Sequence, residues 1–212
     1  MYKRQTLGVA VLKLVLENNR SYKLLMGEGG FVEYATFIAF VLTGVFAWPL
    51  AQSMRRQGEK LLAMAYFGLT GLTAFIALEE ISWGQTLLGW KETAFFESYN
   101  VQEETNLHNL VWFQQYLGDA VILGSLGLFS LCVVWPWLRR RCSTRLRGYG
   151  DWLVPEWCWA GCFLITLLVY VALEGPDDGA FLISRDQEFV ELLFAGGILG
   201  SVVSKYLKQA RP

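Results

Sequence analysis

A single histidine stands among 212 residues, and only 17% of the chain is charged, whereas a soluble domain carries about 25%. One imidazole excludes a three-histidine zinc centre and the paired Glu-x-x-His motifs of di-iron bundles. The four cysteines (Cys132, Cys142, Cys158, Cys162) form no Cys-x-x-Cys and no Cys/His ligand spacing. All fall in or beside apolar runs, so they are expected to be small buried hydrophobes. Gly-x-Ser-x-Gly, P-loop and dinucleotide fingerprints are all missing, and with them any nucleotide-cofactor signature. A net charge of −1 gives no reason to expect a nucleic-acid partner.

Apolar residues are what the chain has in abundance, at 54%. Residues 34–54, 61–78, 120–138 and 157–173 carry no charge, and 189–207 carries only Glu191 and Lys205. Runs of about 18–20 apolar residues read as membrane-spanning helices. The expected fold is all-α: a polytopic transmembrane helix bundle of five full spans, one integral membrane domain over 1–212 with a polar loop at 84–112. Residues 1–5, Met-Tyr-Lys-Arg-Gln, read as the translation of a sequencing-library adapter. On that reading the chain is a metagenomic fragment, and Leu7–Leu16 is the tail of a truncated N-terminal helix. The other reading of that stretch is a short interfacial helix with a basic start.

Charge alternates along the chain. Eleven of the eighteen Lys and Arg, among them Arg55, Arg56, Lys60 and the arginines from Arg139 to Arg147, fall at one set of span ends. The positive-inside rule assigns that side to the cytoplasm, here of a bacterial inner membrane. The opposite side gathers fifteen acids against four bases, a net charge of −11, which would attract cations. Tryptophans near span ends, Trp48, Trp83, Trp112, Trp135, Trp137, Trp152, Trp157 and Trp159, suit an interfacial belt. Glycines within spans, including Gly68, Gly71, Gly124, Gly127, Gly197 and Gly200, suit close helix packing.

Two dense polar blocks interrupt this pattern on the acidic side: Glu79-Glu80-Ile81-Ser82-Trp83-Gly84-Gln85 and Asn100 to Asn109, the second holding His108. Charges at membrane depth are costly and tend to be paired or functional. If 101–111 is helical, Glu104 and His108 lie four apart on one face. A carboxylate and an imidazole so placed form an acid/base pair or ligate one ion. Glu80, Glu104 and His108 are the expected catalytic groups. Glu79, Trp83, Gln85, Asn100, Gln102, Asn106 and Asn109 would orient them or the ligand. Glu80, Glu104, His108, Glu188 and Glu191 form the candidate ligand set for a divalent cation, with oxygen-rich chemistry favouring Mg²⁺, Mn²⁺ or Ca²⁺ over Zn²⁺. Ser82 supplies a hydroxyl that His108 could activate. Glu33 and Asp119, each about a turn inside a span, are further candidates for lining a cavity. The plainer reading is an interfacial stop signal followed by a polar segment whose side chains satisfy one another.

The two blocks resemble those of uncharacterised bacterial multi-pass membrane proteins that carry Glu-Glu-Ile-Ser-Trp-Gly-Gln followed by Asn-x-Gln-x-Glu-x-Asn-x-His-Asn. Members of that family also carry Glu-Asp-Gly-x-x-Glu before an early span. This chain has Glu28-Gly29-Gly30-Phe31-Val32-Glu33, with glycine at the second acidic position. The resemblance covers roughly 28–109. It implies a functional site and names no reaction.

Three functions compete. The first is an enzyme at the outer leaflet acting on a lipid or lipid-linked substrate, with membrane lipid as its partner and a divalent cation as its expected cofactor. The second is a cation- or proton-coupled transporter or channel-like protein using Glu33, Asp119 and Glu191. The third is a non-catalytic subunit of a membrane complex.

Overall fold

The computed structural model describes residues 30–100, 105–108, 110–173 and 186–210. Within them the chain forms α1 (Phe31–Arg56), α2 (Lys60–Glu80), α3 (Gln85–Leu88), α4 (Ala94–Tyr99), α5 (Val111–Leu138), α6 (Thr144–Leu153), α7 (Ala160–Leu173) and α8 (Asp186–Ala210). Short 3₁₀ turns lie at Ser82–Gly84 and Trp157–Trp159, and no strand occurs among the described residues. Five segments are long and apolar enough to cross a membrane, so the protein is an all-α bundle of multi-pass type. The expected N-terminal helix lies outside the described residues.

The helices form because apolar side chains can be buried or left facing lipid while the backbone satisfies itself. Hydroxyls inside the spans follow the same rule. Thr36 and Thr43 donate to Val32 O and Ala39 O four residues back, at 3.0 and 2.8 Å. Thr70 and Thr166 do likewise. Outward faces remain apolar, with Leu123 67% and Leu168 58% exposed.

Neighbouring spans pack in the order α2–α1–α8–α7–α5. α2 and α5, the two ends of this series, make at most slight contact with each other, which leaves a cleft between them. At the basic end Leu50, Met54, Leu62, Tyr66 and Val202 make one core cluster. Two glycines on α8 let α7 and its preceding turn approach closely. A Cβ on Gly200 would meet the Trp159 ring at 2.3 Å, and one on Gly197 would meet Cys162 at 3.0 Å. Gly68, Gly71 and Gly127 have nothing within 4 Å of such a Cβ, so the small-residue expectation is met on α8 and not on α2.

The fourth span departs from the expected 157–173. The arginine-rich segment after α5 is not a plain loop. Residues 144–153 form α6, capped by Ser143 Oγ accepting from Leu146 N, and the fourth crossing is built from α6, the Trp157 turn and α7 together. α7 alone, at fourteen residues, reaches only about 21 Å. At the break before Pro155, Lys205 Nζ of α8 donates to Asp151 O (3.1 Å), Val154 O (2.9 Å) and Glu156 Oε1 (3.0 Å). A buried cation thus takes up the carbonyls that the interruption frees. The Trp135 ring lies on Gly150, and its Nε1 donates to Asp151 Oδ1 at 3.0 Å. Cysteine burial is mixed, with Cys132 buried and Cys158 exposed.

Candidate functional site

α2 ends in an unusual reversal. Ser82 (φ 47°) and Trp83 (φ 56°) both occupy the left-handed region, followed by Gly84 at φ 96°. A non-glycine residue there costs roughly 1–2 kcal/mol, so the surroundings must hold the turn. Trp83 Nε1 donates to Glu79 Oε1 at 2.5 Å, and its ring packs edge-on to Phe75. Ser82 is fully buried and accepts from Asn106 Nδ2 at 3.2 Å. That places its hydroxyl within the protein interior, bonded to Asn106.

The second polar block is stitched onto this reversal. Glu79, 5% exposed, accepts at Oε2 from the backbone N–H groups of Leu107 (2.7 Å) and His108 (3.1 Å). The same oxygen lies 3.5 Å from His108 Nδ1. Gln85 Oε1 accepts from Thr105 N at 2.6 Å. Asn100 Nδ2 donates to both the backbone oxygen and Oδ1 of Asn106, at 3.1 and 3.0 Å. Asn100 and Leu110 form an isolated bridge that closes the loop. Residues 105–108 are therefore not helical, contrary to the helix that would pair Glu104 with His108. The N–H groups of Leu107 and His108 bond a carboxylate from α2 instead of carbonyls four residues back. Gln102, Glu104 and Asn109 lie outside the described residues, as does the side chain of Glu188.

Among the expected orienting residues, then, Glu79, Trp83, Gln85, Asn100 and Asn106 chiefly hold one another and the loop. Glu79 is the exception, because it also touches the imidazole. His108, one third exposed at its side chain, faces a cavity of about 250 Å³ whose walls are mostly apolar. Glu79, Glu80 and Glu191 line it with His108, among Phe75, Phe113 and other hydrophobes from α1, α2, α5 and α8. Glu191 Oε1 accepts from Tyr170 OH at 2.9 Å and lines the same cavity as His108. Tyr170 was not among the expected site residues. Its signal was a phenol near the acidic end of an apolar run, where a buried hydroxyl needs a partner. Glu33 and Asp119 do not line the cavity, and Asp119 is exposed on α5.

Among the described residues no three His, Cys, Asp or Glu side chains converge closely enough to hold a metal ion. A second chamber of about 340 Å³ lies further toward the basic end and reaches Lys205. Phe40, Ile76 and Phe194 form a wall common to both chambers. Comparison with protein-family models, curated proteins and solved structures found no match to this chain.

Proposed function

We propose that this is a membrane-embedded enzyme acting on a lipid or lipid-linked substrate, with His108 as its acid/base group. The observation that carries the reading is the Glu79–His108 contact at the wall of an apolar cavity within a bundle of membrane-length helices. A carboxylate beside Nδ1 sets the orientation of the imidazole and leaves Nε2 to exchange a proton with a substrate hydroxyl or water. Apolar walls with a few convergent polar groups suit an amphiphile. Glu80 and Glu191 add carboxyl oxygens beside the imidazole, either for a cationic group of the substrate or for a divalent cation. Because His108, Glu80 and Glu191 do not themselves converge closely enough to hold a metal ion, such a cation would need further donors, for which Glu104 and Glu188 are the candidates. The basic ends of the helices would face the cytoplasm and the cavity would open toward the outer leaflet.

The test is purified wild-type and His108→Ala protein in lipid nanodiscs, followed by mass spectrometry of the lipids and elemental analysis of the protein. Lipid turnover lost in the variant, with helix content retained, is expected. Equal turnover in both removes His108 from the chemistry.

One observation favours transport as a second reading: two chambers approach a shared wall from opposite ends of the bundle. Proteoliposome flux abolished by Glu191→Gln, with lipid turnover intact, would move the protein to that class.

A further inference from the structure

Following the chambers rather than the polar blocks leads to a more specific conclusion. Both are lined by α2 and α5, the two end spans of the packing series, which make at most slight contact with each other. α8 closes the back, through Phe194 in both chambers and Ile198 in the deeper one. The cleft therefore faces sideways, into the bilayer. Leu72 of α2, 56% exposed, and Phe75, 42% exposed, stand at its edge, and each lines one of the chambers. What lies against such an opening in a membrane is lipid. An acyl chain is the part of a lipid that fits walls of Leu, Ile and Phe. The polar end is also defined. Glu79, Glu80 and Glu191 meet there with one imidazole, a set of oxygen acceptors that suits the N–H donors of an ammonium group.

We infer that the α2–α5 cleft is a lateral entry site for an amine-headed phospholipid, its ammonium toward Glu80 and Glu191 and one acyl chain running past Ile76 toward Lys205. This rests on the enzyme reading for its purpose, though not for its geometry. It assigns Phe40, Ile76 and Phe194 as the residues that grip the chain where the chambers meet.

The full chain in nanodiscs, containing phosphatidylethanolamine or phosphatidylglycerol with a photoactivatable group in mid-chain, provides the test. Adducts should concentrate on Leu72, Ile76, Leu128 and Ile198, relative to the outward-facing Leu123 and Leu168. Leu72→Trp and Ile76→Trp should each lower cleft adducts by about tenfold, the equivalent of roughly two lost methylene contacts; Leu123→Trp should not. Having the edge variant Leu72→Trp beside the interior one guards against misfolding of Ile76→Trp. Adducts spread evenly over the outer faces, unaffected by either variant, would overturn the site. Equal capture of both lipids would overturn the headgroup assignment. His108→Ala separates the two readings. Cleft adducts retained together with turnover unchanged would leave the lipid site standing and the enzymatic role rejected.

Discussion

Glu79 and His108 meet twice: the same carboxylate oxygen accepts the His108 backbone N–H at 3.1 Å and lies 3.5 Å from its Nδ1. A single side chain at the end of α2 therefore sets both the path of the loop and the place of its imidazole. Glu79→Ala should leave the amides of Leu107 and His108 without their acceptor. The expected cost is roughly 3 kcal/mol, since unmet buried donors cost about 1–3 kcal/mol each. Hydrogen exchange at those two amides checks it directly, because unchanged protection would show that the carboxylate does not hold the loop.

Asn106 is fully buried and joins Asn100 to Ser82. Asn106→Ala should destabilise the protein by about 1–3 kcal/mol by leaving those partners unpaired. Equilibrium unfolding in mixed detergent micelles measures this. A difference within error would mean that water replaces the amide.

Gly84 sits at φ 96°, and a Cβ there would meet the Trp90 ring at 3.3 Å. Gly84→Ala should cost about 1–2 kcal/mol through backbone strain. Gly127→Ala is the comparison, on a helix with nothing within 4 Å of the added carbon. It should be neutral or stabilise by up to about 1 kcal/mol. Equal effects on thermal unfolding would contradict the left-handed turn.

Lys205→Met removes the donor to Asp151 O, Val154 O and Glu156. Only Lys205 is buried in this pair, with Glu156 36% exposed, so the loss comes mainly from two carbonyls left without their donor and is about 2–3 kcal/mol. Adding Glu156→Gln should recover only a small part of that loss, since the half-exposed carboxylate is solvated once Lys205 is gone. A double-mutant cycle with no coupling would show the two side chains to be independent.

The spans were legible because length and hydropathy decide them, and all five appear close to where uncharged runs lie. α6 was not, since Arg145 and Arg147 mark a basic connection without revealing that Ser143 caps a helix there. The start of α5 at Val111, nine residues before its uncharged core, was hidden by Gln114, Gln115 and Asp119. In the site, the two blocks announced themselves by polarity, yet their division of labour did not. Periodicity suggested a helix through His108, and a carboxylate from α2 took its backbone donors instead. That long-range bond has no local signature. Neither does the choice between Glu33 and Glu191, two acids with the same Phe-Val-Glu context, of which only Glu191 reaches the cavity.

The helix order also bears on how the protein is made. α1 and α2 pair as neighbours in the chain, and α5 and α7 pair in turn, while α8 packs on both α1 and α7. α8 is the last of these helices to leave the ribosome. Until it arrives, the two earlier pairs lack the span that packs between them, and Glu191 is absent from beside His108. An incompletely synthesised or C-terminally clipped chain would thus expose two separate hairpins to quality control, and neither would carry a complete site.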